Sequence, residues 1–207
     1  MNCYILGSAG GRDGVIIDPG DEGERILRKT ESLGLEIKWI LNTHGHPDHT
    51  GADWYLMKET GACLLIHASD EDMLALTFEG SALSESRMKR GPAGRFQGTS
   101  PKDGKPHILR IEGGDVIGAG DIRLEVIHTP GHTMGGVCFV YKDHLFSGDT
   151  LFAGSIGRTD LPGGSYDQLI NSITKKILPL GDDTKVYPGH GPSTTVGIEK
   201  EENPFLS

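Results

Sequence analysis

The chain has 207 residues, 36% of them hydrophobic, which is within the range of one layered α/β domain, so we expect a single domain over residues 1–207. Lysine and arginine number 20 against 29 for aspartate and glutamate, and the formal charge of −9 disfavours nucleic acid and acidic membrane surfaces as partners. The first residues lack the pattern of an export signal, and no apolar run approaches the length of a membrane span.

Short apolar runs alternate with helix-like segments, which is typical of layered α/β architecture. The predicted strands are Cys3–Leu6, Val15–Ile17, Ile37–Leu41, Cys63–Ile66, Ile122–Ile127, Val137–Tyr141, Leu145–Phe146 and Lys185–Tyr187. The three cysteines, Cys3, Cys63 and Cys138, lie far apart in such strand-like stretches. We therefore expect free thiols and a cytoplasmic location.

Two helices are predicted from capping residues and apolar stripes. The first begins with the pair Asp21 and Glu24 and stops at Gly34. The second begins at Ser165, and its apolar stripe consists of Leu169, Ile170, Ile173 and Ile177. The segment at about 80–106 is rich in Gly, Pro, Ser and basic residues, so we expect a long loop or insertion there.

Four side chains that can bind a metal ion lie within six residues, directly after the strand Ile37–Leu41: His44, His46, Asp48 and His49. Three more follow other predicted strands or their turns: His132, Asp149 and His190. In α/β folds the loops after strand ends meet in one crevice, so we expect these groups to converge. Five imidazoles and two carboxylates suit two divalent ions, with zinc the first choice and iron or manganese as alternatives.

The other histidines lack this turn context, and the sequence favours structural or surface roles for them: His67, His107, His128 and His144. Arg158 and Asp160 have two interpretations. An ion pair that stiffens the loop after Asp149 is favoured over direct contact with a substrate.

The spacing His-x-His-x-Asp-His, followed by Pro-Gly-His, Ser-Gly-Asp and a late Gly-His-Gly, resembles the metallo-β-lactamase superfamily. The resemblance implies an αββα sandwich of mixed sheets with helices on the outer faces. It also implies a division of the ligands, with His44, His46 and His132 on one metal, Asp48, His49 and His190 on the other, and Asp149 bridging. True β-lactamases are disfavoured, because they often have a cysteine ligand or lack the bridging carboxylate.

Within that superfamily, the stretches 147–152, 157–165 and 187–192 are similar to the short, single-domain branch of glyoxalase II-like (hydroxyacylglutathione hydrolase-like) enzymes. This resemblance implies hydrolysis of a small thioester, such as S-2-hydroxyacylglutathione, by a metal-bound hydroxide that Asp48 would help to orient. Full-length glyoxalase II enzymes use a C-terminal helical domain to grip glutathione, and this chain ends soon after His190. The candidate substrate contacts are therefore the basic group Arg87, Lys89, Arg90 and Arg95, although such a group is more often a solvated face.

Two other functions stay open at this point. A persulfide dioxygenase-like oxidoreductase would hold one iron on His44, His132 and Asp149. A two-metal hydrolase of nucleic acids would use the whole set, but the acidic composition disfavours it. The sequence does not indicate the oligomeric state.

Overall fold

The structure is a computed structural model that describes residues 1–77, 95–97 and 107–206. Its strands are β1 (Tyr4–Gly7), β2 (Asp13–Ile17), β3 (Glu36–Leu41), β4 (Cys63–His67), β5 (Arg95–Gln97), β6 (Ile108–Ile111), β7 (Val116–Ala119), β8 (Ile122–His128), β9 (Val137–Tyr141), β10 (His144–Gly148), β11 (Leu151–Phe152), β12 (Ser155–Ile156), β13 (Lys185–Pro188) and β14 (Thr194–Thr195). Its α-helices are α1 (Gly23–Ser32), α2 (Pro47–Thr50), α3 (Asp53–Thr60), α4 (Tyr166–Ser172) and α5 (Val196–Glu202). Short 3₁₀-helices span Ala68–Leu76 and Leu178–Leu180, and a π-helical turn, Ile173–Ile177, continues α4.

Two mixed sheets form the centre of the fold. The first has the order β1-β2-β3-β4-β6, in which β1 is antiparallel to β2 and the other pairs are parallel. The second has the order β14-β13-β10-β9-β8-β7-β5 and combines antiparallel meanders with parallel pairs at β10–β13 and β5–β7. A small ribbon of β11 and β12 follows β10.

The core lies between the facing sides of these sheets. Trp39 and Leu41 of β3 pack there with Leu124 and Phe139 of the opposite sheet, and all four are fully buried. The Trp39 indole donates a hydrogen bond of 2.9 Å to the carbonyl of Gly118 across the interface. Because successive strand residues point to opposite faces, the residue between the two core residues of β3, Ile40, packs outward.

Helices cover the two outer faces. α1 and α3 cover the first sheet, where Ile26 and Leu56 join a cluster with Ile40. α4, its π-helical continuation and α5 cover the second sheet. The layers are therefore helix, sheet, sheet, helix, which confirms the expected αββα sandwich.

The predicted helix starts had different outcomes. Ser165 is the N-cap of α4 and its hydroxyl accepts from the amide of Gln168, as predicted. The capping pair at the start of α1 was wrong, because Glu22 is the N-cap and makes no side-chain cap bond. The carboxylate of Asp21 accepts instead from the adjacent Glu22 amide, at 2.6 Å, and so does not reach the first helical turn.

The expected insertion at about 80–106 lies almost entirely outside the described residues, with β5 as its described part. Within the described part of the chain, no helix is both long enough and apolar enough to span a bilayer. None of the three cysteines forms a disulfide, and Cys63 and Cys138 are buried.

Candidate metal centre

Four strand ends bring the predicted ligands together. β8 and β10 are each antiparallel to β9 and β13 is parallel to β10, so these three strands run in the same direction. Their carboxyl ends lead to His132, Asp149 and His190. The loop after β3, in the other sheet, carries the four ligands of the His-x-His-x-Asp-His stretch. The expected convergence of all seven side chains is thus present.

A first cluster consists of His44, His46 and His132, each of which offers a nitrogen within 4.8 Å of the others. The closest pair is His46 Nδ1 and His132 Nε2, at 2.9 Å. Their rings are 4.7 Å apart at an angle of 75°, so the two imidazoles do not stack on each other. Both His44 and His132 are buried.

A second cluster consists of Asp48, His49 and His190. His190 Nε2 lies 3.1 Å from Asp48 Oδ2 and 3.4 Å from His49 Nε2. Here His49 is fully buried, whereas the side chains of Asp48 and His190 are about half exposed. This cluster therefore faces solvent on one side.

Asp149 lies between the two clusters. It forms a third potential ligand group with His44 of the first cluster and His49 of the second. One carboxylate oxygen, Oδ1, is 3.4 Å from His49 Nε2, and the other, Oδ2, is 3.6 Å from His132 Nε2. A carboxylate with one oxygen toward each cluster is suited to bridge two cations.

The donor atoms fit divalent ions in both spacing and chemistry. Two ligand atoms that are each about 2.0–2.1 Å from a tetrahedral ion lie roughly 3.3 Å apart. Three donor pairs within the two clusters are separated by 2.9–3.4 Å, and a fourth, Asp48 Oδ2 and His49 Nε2, by 3.6 Å. His44 Nε2 supports the fit further, because it is buried and has no hydrogen-bond partner among the described residues. This buried nitrogen is therefore available to bind a cation.

Hydrogen bonds behind the rings set which nitrogen faces the centre. His132 Nδ1 lies 2.7 Å from the carbonyl oxygen of Arg158, which can only accept, so the proton is on Nδ1 and Nε2 carries the lone pair. His44 Nδ1 contacts Thr43 Oγ1 at 3.2 Å. Since that hydroxyl donates its own hydrogen to Asp18, it accepts from His44. Nε2 of each ring is therefore free to bind metal.

Asp18 is a positioning residue that the sequence reasoning missed. It is buried at the end of β2, and its carboxylate accepts from the Thr43 amide at 2.7 Å and the Thr43 hydroxyl at 2.6 Å. The same carboxylate lies 3.0 Å from His49 Nδ1 and so directs His49 Nε2 to the second cluster. Its place after the apolar strand Val15–Ile17 was the signal available, because every predicted ligand has the same kind of position.

Asp70 is a second missed residue, and it joins the two loops that carry the first cluster. Its buried carboxylate accepts from the Gly45 amide at 3.1 Å, the Thr133 hydroxyl at 2.7 Å and the Gly135 amide at 2.7 Å. Gly45 lies between His44 and His46, and Thr133 follows His132. No sequence spacing signalled this contact, because Asp70 and Gly135 are 65 residues apart.

The electrostatics favour cations at this site. Burial, and then the neighbouring imidazoles, hold the pKa of His44 well below its usual range, so His44 is neutral and able to ligate. Burial alone would also lower the pKa of His49, but Asp18 and Asp149 outweigh it and raise that pKa to about 10. Burial would raise the pKa of Asp149, yet the surrounding histidines lower it overall. Asp149 is therefore ionised, and positive charge next to it is stabilised.

Gly189 leaves room for the ligands that surround it. A β-carbon at this position would lie 2.3 Å from Asp149 Oδ1 and 2.6 Å from His49 Cε1. Both distances are shorter than van der Waals contact. The Pro-Gly-His turn therefore needs glycine to avoid displacing two of the candidate ligands.

The remaining predicted residues lie outside the cluster. His67 stacks on His128 with ring centroids 4.2 Å apart, His144 stacks on Tyr187, and His107 is buried. Arg158 and Asp160 form the expected ion pair, which has two hydrogen bonds, of 2.9 and 2.8 Å. The pair is exposed and lies in the loop whose Arg158 carbonyl contacts His132 Nδ1.

The candidate substrate contacts fall in or beside the segment that is not described. Arg87, Lys89 and Arg90 lie outside the described residues. Arg95 begins β5, but its side chain is not among those described. Substrate contact by this group stays a prediction.

An αββα sandwich whose strand ends carry two adjoining histidine and carboxylate clusters is the framework of a metallo-hydrolase. A sequence profile described as the metallo-beta-lactamase superfamily matches residues 2–199. The chain belongs to this superfamily, whose members bind divalent metals.

Individual relatives agree with that assignment over the whole chain. The chain is 40% identical to "Hydroxyacylglutathione hydrolase GloC" of Haemophilus influenzae over 209 residues, which cover 100% of this chain and 93% of the relative. Among solved structures, the BLEG-1 B3 metallo-beta-lactamase is 34% identical with a TM-score of 0.79, covering 100% of this chain and 94% of that one. TTHA1623 in a di-iron-bound form is 33% identical with a TM-score of 0.74, covering 99% and 94%.

Proposed function

We propose that the protein is a two-metal thioester hydrolase that cleaves S-2-hydroxyacylglutathione or a closely related thioester. The observation that carries the proposal is the pair of three-ligand clusters with Asp149 between them. Similarity to a hydroxyacylglutathione hydrolase over the full chain supports the thioester as substrate. The proposal covers one domain, residues 1–207.

The proposed ligand sets follow the two clusters. His44, His46 and His132 would hold one ion, Asp48, His49 and His190 the other, and Asp149 would contact both. The di-iron form of a 33% identical protein supports a dinuclear centre. We propose zinc as the native metal, because imidazole-rich sets with few carboxylates suit it, although iron and manganese accept the same donors.

In the proposed reaction, water and a thioester give a carboxylate, a proton and a thiol. The C–S bond breaks and a C–O bond forms to the oxygen that water supplies. Divalent ions, when bound, lower the pKa of water and polarise the thioester carbonyl. The leaving group is a thiolate, which is stable because the pKa of the corresponding thiol is near 8.5, so the reaction does not depend on a strong general acid.

The protein's own groups prepare this chemistry. Asp18 and the Arg158 carbonyl contact Nδ1 of His49 and His132 and so orient the two rings with Nε2 toward the clusters. Asp48 is half exposed at the solvent side of the second cluster, and its Oδ2 is 3.1 Å from His190 Nε2. From that position its carboxylate can accept a hydrogen bond from the attacking water and aim it at the substrate.

The test uses S-D-lactoylglutathione with the zinc-loaded protein and follows release of the free thiol. We expect turnover by the unmodified protein and a loss of at least 1000-fold in His44→Ala and Asp149→Ala. His144→Ala is the matched control, since His144 stacks on Tyr187 away from the clusters and should retain activity. Absence of turnover by the unmodified protein with two bound ions would refute the proposed substrate class.

β-Lactam hydrolysis is a second candidate, favoured by the similarity to a B3 metallo-beta-lactamase at 34% identity. The same centre can deliver water to an amide carbonyl, so the fold does not separate the two reactions. A chromogenic cephalosporin separates them directly. We expect its kcat/KM to be at least 100-fold below that of the thioester, and the reverse order would favour the lactamase.

The other candidates use fewer of the observed features. An iron persulfide dioxygenase with ligands His44, His132 and Asp149 would leave the second cluster without a role, and oxygen uptake with a persulfide substrate would reveal it. A nucleic-acid hydrolase needs cationic surface, whereas the chain has a formal charge of −9. A salt-sensitive shift of RNA in a gel would support that alternative.

A further inference from the structure

A groove of about 920 Å³ adjoins the second metal cluster. Asp48, a candidate ligand, also lines this groove, so the cavity and the proposed reaction site are continuous. Cavities that bind small molecules commonly have volumes of 300–1,000 Å³. The groove therefore has the size and position of a substrate subsite.

One wall of the groove is a single face of helix α1 and its N-cap. The lining residues Glu22, Arg25, Ile26 and Lys29 follow the i, i+3, i+4, i+7 spacing of one helical face. At 1.5 Å per residue, the seven steps from Glu22 to Lys29 extend roughly 10 Å. A peptide of about three extended residues has the same length.

Three carboxylates line the groove beside Arg25 and Lys29, and each has another partner: Asp21 accepts from the Glu22 amide, Glu22 pairs with Arg25, and Asp48 lies 3.1 Å from His190 Nε2. Arg25 Nη1 contacts Glu22 Oε2 at 2.7 Å and is partly neutralised. Lys29, one turn further on, has no carboxylate within ion-pair distance among the described residues, and it is exposed. An unpaired ammonium group in a groove favours an anionic ligand group.

The rest of the lining includes apolar and hydroxyl-bearing side chains. Tyr4, Tyr187 and Ser193 belong to it, and Tyr4 is already engaged, since its hydroxyl donates to the Pro188 carbonyl at 2.6 Å. Ile5 and Ile26 supply apolar surface. The groove thus combines apolar side chains with an exposed ammonium group on the α1 face, which suits a flexible ligand that has aliphatic segments and a terminal carboxylate.

We propose that this groove binds the thiol portion of the substrate, a peptide-like thiol of about three residues, with a carboxylate held by Lys29 and Arg25. This inference rests on the proposed thioester hydrolysis and assigns a binding site to the leaving group. The acyl portion lies at the metal cluster, and the sulfur enters the groove past Asp48.

The test compares two thioesters with the same acyl group. One is the glutathione thioester, which carries two carboxylates, and the other is the N-acetylcysteamine thioester, which is uncharged. For the double variant Arg25→Ala/Lys29→Ala we expect KM to rise at least tenfold for the glutathione thioester and less than twofold for the uncharged one. The kcat values for both substrates should stay within twofold, because neither side chain contacts the clusters.

Arg28→Ala is the matched control. Arg28 is on the same helix but pairs with Glu24 away from the groove, so its loss should leave KM for both substrates within twofold. Lys29→Arg, which keeps the positive charge, should retain most of the affinity for the glutathione thioester.

The outcomes separate this inference from the proposed function. If the unmodified protein cleaves neither thioester, the proposed function is wrong, and the assignment of the groove is refuted as well. If it cleaves both, and the double variant leaves the ratio of the two KM values unchanged, thioester hydrolysis stands and the assignment of the groove is refuted.

Discussion

Replacement of Asp70 by Asn is predicted to weaken the first metal cluster through its supporting loops. The carboxylate accepts three hydrogen bonds, from Gly45, Thr133 and Gly135, while contacting none of the seven candidate ligands directly. Asparagine has one acceptor oxygen, so its amide group must face at least one donor that the carboxylate oxygen satisfied. The loops that carry His44, His46 and His132 would then separate.

The size of the effect follows from the number of bonds lost. A hydrogen bond to a charged group contributes about 1.5–3 kcal/mol, and a buried donor left unsatisfied costs a similar amount. Asp70 is only 1% exposed, so water cannot replace the lost acceptor. We expect the free energy of unfolding to fall by about 3 kcal/mol. Loss of a group that supports metal ligands typically weakens metal affinity 10- to 100-fold.

Chelator competition and denaturant titration measure the two effects. In Asp70→Asn the affinity for one of two zinc ions should fall at least tenfold while the other stays within threefold, because the second cluster has its own support from Asp18. Asp72→Asn, an exposed site on the same 3₁₀-helix, should change neither quantity. Equal weakening of both ions, or none, would refute the assigned role of Asp70.

Three further predictions concern single side chains. Gly189→Ala should lower the number of bound zinc ions, because its β-carbon would press on Asp149. Gly10→Ala is the control and should not lower it, because Gly10 has open space around it. Equal zinc content of the two variants in elemental analysis would contradict the packing argument. Ser165→Ala removes the N-cap of α4 and should cost about 1 kcal/mol in a urea titration; an unchanged midpoint would show that the cap is not needed. Burial raises the pKa of Cys138 to about 11, so the thiol should resist iodoacetamide at pH 8 until the protein is unfolded, and rapid native labelling, seen by mass spectrometry, would contradict that burial.

The positions of the candidate ligands could be predicted because each lies just after a strand, and the strands can be recognised in the sequence as short apolar runs. His132, Asp149 and His190 follow β8, β10 and β13, whose directions agree. The αββα layering was also predictable, since the resemblance in these motifs extends over most of the chain. The structure confirms that layering.

The supporting residues could not be read from spacing. Asp18 reaches Thr43 across 25 residues and Asp70 reaches Gly135 across 65, and such contacts depend on how the two sheets face each other. A carboxylate in a loop has many local partners, as Asp21 illustrates by bonding the adjacent amide rather than capping α1. Only the folded arrangement shows which partner each carboxylate takes.

The proposed substrate subsite also could not be predicted from the sequence pattern. The predicted contacts were a basic group at 87–95, which attracted notice because its charges are clustered. The sequence does not indicate a binding role for Lys29, since it is one of several charged residues on α1. Its significance comes from the neighbouring groove, which is formed by segments distant in sequence.

The central claim is that seven side chains bind two divalent ions with Asp149 between them. The most direct measurement is elemental analysis after zinc loading and removal of unbound metal, made on the unmodified protein and on Asp149→Ala. We predict two zinc ions per chain in the unmodified protein and fewer in the variant. One ion or none in the unmodified protein, or an identical content in both, would contradict the account.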